Sequence, residues 1–148
     1  VIAWQGMHSW WLFGQLDHET RFTEIIKKEV EAYYVINGKT FLDRWSTSYY
    51  KKHGIKCVIN RKEARADNYM VVFGDYVMQT TYPKDTFEKL EKIYNSARNI
   101  EDIDLNEIMS AITEKIDIKV TLIKNRVIAE KMREEIKKHF NPGCNYVA

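Results

Sequence analysis

The sequence predicts an α/β fold, a mixed β-sheet flanked by helices. Three observations carry that expectation. Runs rich in β-branched and aromatic residues alternate with runs of helical periodicity, the pattern of strands laid beside one another through crossover helices. Two apolar runs flank Gly74-Asp75, a tight hairpin signal that needs antiparallel neighbours. The hydrophobic share, 45% of 148 residues, supplies one sizeable core, so residues 1–148 are expected to form a single domain.

Each element follows in order. Val1 to Trp4 reads as a short first strand that Gly6 ends. Met7 to Lys28 has helical character, with apolar Trp11, Phe22, Ile25 and Ile26 and a favourable Glu24–Lys28 pair. Gly14 and the polar run Asp17-His18-Glu19-Thr20 mark a break or kink in it. Val30 to Ile36 is a strand by composition, and Asn37-Gly38 a turn. From Thr40 to His53 a helix places Phe41, Trp45 and Tyr49 on one face, expected in the core, and Gly54 stops it. Ile55 to Ile59 is a short strand, and Asn60 to Asp67 a charged loop. Tyr69 to Phe73 and Tyr76 to Thr81 form the hairpin, which Pro83 ends. Asp85 with Glu88, and Asp104 with Glu107, have capping-box spacing and open two helices, the second running to about Lys115. Ile116, Ile118, Val120 and Leu122 alternate with polar residues, which predicts a half-buried strand. Val127 to Phe140 is a last helix with Ile128, Met132, Ile136 and Phe140 on one stripe, closed by Asn141-Pro142-Gly143.

The bulk properties narrow the function. A formal charge of +2 from interleaved Lys and Glu gives no strong footprint for DNA or an acidic membrane. Cys57 lies in an apolar run and Cys144 in a loose tail, so the cysteines suggest a reducing, cytoplasmic setting and no disulfide scaffold. No apolar run approaches the roughly 20 residues that span a bilayer, and no signal peptide is visible. The chain opens at Val1 without an initiator Met, the expectation for a domain whose N-terminal partner precedes it.

The residues that carry chemistry are few. His53 and His139 stand at helix C-termini, where an imidazole complements the helix dipole. His8 and His18 lack the i,i+4 spacing of a helical metal pair, and no metal or cofactor motif appears. The apolar run around Cys57 would raise its thiol pKa and blunt it as a nucleophile. Trp4, Trp10 and Trp11 cluster around His8; such aromatics suit either a ligand pocket or a core and partner interface. The basic runs Lys51-Lys52-His53 and Arg61-Lys62-Glu63-Ala64-Arg65 are short and read as solvated surface, and nothing resembles a DNA-recognition helix.

The stretch Asn68-Tyr69-Met70-Val71-Val72-Phe73-Gly74-Asp75 fits the spacing H-x-K-x-x-x-x-D, with Asn68 for the His, Met70 for the Lys and Asp75 kept. It also reads as a core strand before a turn. With the element order, with Val1 to Gly6, with Tyr50 to Lys56 leading into a strand and with Asn125 to Glu130 opening the last helix, the chain resembles a phospholipase D-like half-domain. More narrowly it resembles the effector domains of TrmB-type transcription regulators. The resemblance implies a homodimer of half-domains, a DNA-binding domain upstream, and a small-molecule effector site around Asn68, Met70 and Asp75, with His8, Trp10 and Trp11 as further candidates. It also implies a degraded phosphodiesterase site. That chemistry needs a His nucleophile and a Lys beside it to stabilise the charged transition state; Asn68 cannot form the phosphohistidine and Met70 carries no charge. The expected function is thus non-enzymatic effector sensing and dimerisation in transcription regulation. The alternative is a small α/β enzyme built on His8, Asp17, His18 and Glu19.

Overall fold

The chain begins in the middle of its own sheet. The structure is a computed structural model and describes residues 1–14, 16–60 and 68–141. In it β1 (Ile2–Met7) pairs in parallel with β2 (Ala32–Asn37) on one side and antiparallel with β4 (Asn68–Phe73) on the other. Outward from β2 lies β3 (Lys56–Asn60), again parallel; outward from β4 lie β5 (Tyr76–Thr81) and β6 (Lys119–Lys124), both antiparallel to their neighbours. The sheet has six strands in the order β3-β2-β1-β4-β5-β6. It is the mixed α/β sheet that the alternation and the hairpin signal call for. The basic run Arg61 to Arg65 and Cys144 lie outside the described residues.

Helices cover both faces unequally. The connection from β1 to β2 is α1 (Trp11–Gly14) followed by α2 (Leu16–Glu29), so the expected break does fall near Gly14. Between β2 and β3 runs α3 (Phe41–Lys52). These pack on one face around Trp4, Leu12, Ile26, Tyr34, Tyr50 and Cys57. The other face carries α6 (Arg126–Lys138), whose Ala129 and Ile136 close over Ala3, Val35, Val72 and Val77. α4 (Lys84–Ser96) and α5 (Leu105–Thr113) pack together at one end, against Trp10 and Phe13. Among the described residues no helix is long and apolar enough to cross a membrane.

Four local expectations need correction. Gly6 does not end β1 but lies within it, because the Tyr69 ring packs across the strand where a side chain would stand. The buried face of α3 is Leu42, Asp43, Ser46, Thr47 and Tyr50; Phe41, Trp45 and Tyr49 lie beside it, with Trp45 37% exposed. Asp85 and Glu88 form no capping box: Pro83 is the N-cap of α4, without a side-chain cap bond, and Glu88 pairs with Lys84. Asp104 does cap α5, accepting from the Asn106 and Glu107 amides. Finally, every residue of β6 is exposed, including Val120 and Leu122, because nothing among the described residues packs on this outer strand.

Candidate functional site

His8 follows β1 at a left-handed φ of 52°, and its ring is 3% exposed. Leaving the strand in that conformation turns the ring inward under α3 and α4. There its Nδ1 lies 2.7 Å from Oδ1 of Asp43 and its Nε2 lies 2.7 Å from Oε1 of Glu91. Tyr94 stacks on the ring with centroids 4.0 Å apart. Asp43 is positioned by a reciprocal cap: Thr40 N–H donates to Oδ2 of Asp43, and Asp43 N–H donates to the Thr40 hydroxyl, so the same carboxylate starts α3 and holds His8.

This arrangement fixes the protonation of His8. Burial alone would lower its pKa, but hydrogen bonds and charge from Asp43 and Glu91 outweigh burial and raise it to about 9. At neutral pH both ring nitrogens therefore carry protons and both donate to carboxylates. A ring in that state has no lone pair with which to attack phosphorus or take a proton. The group is an ionic bolt between β1, α3 and α4.

The other predicted residues separate. His8 and Asn68 share a gap of only about 10 Å³ with Trp10, Tyr82 and Phe87, room for a single water. Met70, two residues on and so on the same face of β4 as Asn68, packs in the core under α6. Asp75 is exposed in the hairpin turn, at the other end of β4 from Asn68. Asp75 thus stands apart from the other two positions of H-x-K-x-x-x-x-D. His8, Asp17, His18 and Glu19 do not converge: Asp17 and His18 are exposed on α2, and Asp17 pairs with Arg21. Cys57 is buried, and burial pushes its thiol up to about 12. Among the described residues no cluster of His, Cys, Asp or Glu has the make-up of a metal site.

Trp10 and Trp11 do come together, in a place that neither motif marks. A cleft of about 600 Å³ opens where the helical layer of α1 to α3 stops short of β4 and β5. Tyr69, Val71 and Phe73 of β4, with Met78 and Thr80 of β5, form its floor. The cross-strand pairs Tyr69–Thr80 and Val71–Met78 confirm that these residues share one face of the sheet. Its walls are Trp4, Trp10, Trp11, Phe22 and Tyr82. The register carries the floor outward, because Thr80 pairs with Val120 and Met78 with Leu122.

One charged residue lines this cleft. Glu19 projects from the first turn of α2 beside Tyr50, whose hydroxyl accepts a 3.1 Å hydrogen bond from the Trp11 indole. Burial pushes the Glu19 carboxyl upward, and the Tyr50 hydroxyl and Trp11 N–H beside it oppose that shift. Its Oε2 is buried with no hydrogen-bond partner of good geometry among the described residues. A second cleft, of about 440 Å³, lies under α6 and is lined by Lys56, Lys137 and Lys138 with Glu134 and two aromatic rings.

Sequence reasoning found the tryptophans but missed Asp43, Glu91, Tyr69 and Tyr82. The T-x-x-D spacing of Thr40 and Asp43 was the available signal for a helix start; nothing local links it to His8, which lies 35 residues away, or His8 to Glu91, 83 residues on. The chain matches no protein-family model, no curated protein and no solved structure.

Proposed function

We propose that this chain is a non-catalytic, effector-sensing and dimerising domain, and, from the resemblance of its sequence to TrmB-type effector domains, that it serves a transcription regulator whose DNA-binding part precedes it. The single observation that carries the sensing role is the aromatic-walled cleft over β4 and β5. A concave, mainly apolar site with a few polar groups is the ordinary form of a small-molecule pocket. His8, which shares Trp10, Tyr69 and Tyr82 as neighbours with the cleft, is locked between two carboxylates, which supports binding over catalysis. The phospholipase D-like half-domain reading places the degraded signature on β4, whose other face, Tyr69, Val71 and Phe73, supplies the floor of the cleft.

The dimer would use the outer edge of the sheet. Among the described residues β6 has an unpaired edge, and its Val120 is 54% and Leu122 57% exposed, apolar side chains that an edge strand does not usually leave uncovered. A second copy of the chain meets that edge through the same residues, as a two-fold interface requires.

Thermal unfolding against a panel of metabolites tests sensing. A ligand that binds only the folded state raises Tm, by RT ln(1 + [L]/Kd) in free energy. At least one saturable shift is expected that Trp11→Ala weakens. A panel without any shift, together with turnover of a phosphodiester, would replace sensing by enzymatic function.

A further inference from the structure

Among the described residues the cleft combines an aromatic lining with one half-buried carboxylate, and that combination selects a ligand by charge. Trp4, Trp10, Trp11, Phe22, Tyr69 and Tyr82 present ring surface to it, and among the described residues no Lys, Arg or His lines it. Ring faces carry the negative side of the aromatic quadrupole, so several rings around one space favour a cation there. Among the described residues Glu19 supplies the only formal charge, negative, at the wall next to Trp11 and Tyr50. Its Oε2, buried and without a partner of good geometry, is an acceptor left for a donor from the ligand or for direct charge pairing. An anion such as a phosphodiester would lie against ring faces and a carboxylate with no positive group to offset it.

We infer that the cleft over β4 and β5 binds an organic cation, an ammonium or quaternary ammonium group carried on an apolar or aromatic body, with Glu19 as its counter-ion. The inference rests on the sensing role proposed above and names the class of effector. The volume of the cleft fits a small metabolite, and the apolar floor of Val71, Phe73 and Met78 takes the body while the rings and Glu19 take the charge.

Three probes of one shape separate the possibilities by isothermal titration calorimetry on the intact chain. They are meta-hydroxyphenyl-trimethylammonium, its neutral carbon isostere meta-tert-butylphenol, and meta-hydroxybenzenesulfonate. The cation is expected to bind saturably, about tenfold more tightly than the neutral isostere, a ratio in the range of a desolvated cation–π contact. Glu19→Gln should weaken the cation about tenfold and leave the neutral probe unchanged, with the circular dichroism spectrum retained. Trp11→Leu, a second variant, should weaken the cation as well. Equal binding of cation and neutral isostere would overturn the cationic class while leaving a sensing cleft. Tighter binding of the sulfonate, or no saturable binding of the cation, would overturn it too. The metabolite panel tests sensing separately, so the two readings fail by different results.

Discussion

At the scale of single residues, His8 sets how stability answers to pH. Folding raises its pKa from 6.5 to about 9, so the folded state holds the proton more tightly than the unfolded chain. The contribution is fully present below about pH 6.5 and is lost as pH rises through about 9. It amounts to on the order of 3 kcal/mol across that window. Tm is expected to fall between those limits, and His8→Gln should flatten the profile while unfolding at a lower temperature throughout, since it leaves Asp43 and Glu91 buried without the cation. Equal slopes in the two proteins would show that His8 is not the titrating group. Gly6 makes a second residue-scale case. A Cβ there would collide with the Tyr69 ring, so Gly6→Ala should cost about 1–3 kcal/mol in urea unfolding and shift that ring in the cleft floor.

At the scale of elements, the order of strands and helices was legible because each carries its own local signal: periodicity, a Gly74 turn at φ 52°, an Asp104 cap. Burial was less legible, since it depends on what lies across from a face. Phe41, Trp45 and Tyr49 have the spacing of a core stripe, yet α3 turns toward His8 and buries Asp43 and Ser46 in their place. Val120 and Leu122 alternate as an inward-facing strand should, but β6 sits at the end of the sheet beyond the reach of the helices. The same spacing therefore marks a strand without saying whether anything covers it. Two predictions belong here. Thr40→Ala, which removes the reciprocal cap that also aims Asp43, should cost about 1 kcal/mol or more. Leu122→Lys should leave the monomer's stability within about 0.5 kcal/mol, because the side chain is exposed, and should shift the proposed dimer to monomer in light scattering. A fully dimeric Leu122→Lys protein would move the interface elsewhere.

At the scale of the whole molecule, the sheet divides the candidate residues that sequence spacing had grouped. Asn68 and Met70 share one face of β4, Asn68 at its end near His8 and Met70 under α6, while Asp75 lies in a turn at the far end. Linear spacing gave no warning, because it sets the two strand positions on one face but says nothing of the helix that covers Met70 or of the turn that carries Asp75 away. Restoring the signature as Asn68→His with Met70→Lys is accordingly expected to give no hydrolysis of bis-para-nitrophenyl phosphate, and to destabilise the protein by burying an ammonium under α6. Hydrolysis by the double variant would show that these positions do converge on a phosphate.

Ile118 lines the cleft and stands one residue before β6. In the proposed sensing dimer, an occupant of the cleft therefore presses on the segment that leads into the exposed edge, and a partner seated on that edge presses back. Such a link runs equally in both directions: whatever factor the effector adds to the association constant of two copies, association must add to the affinity for the effector. Ligand affinity should then depend on protein concentration, and substituting Ile118 should uncouple the two equilibria while leaving each of them in place.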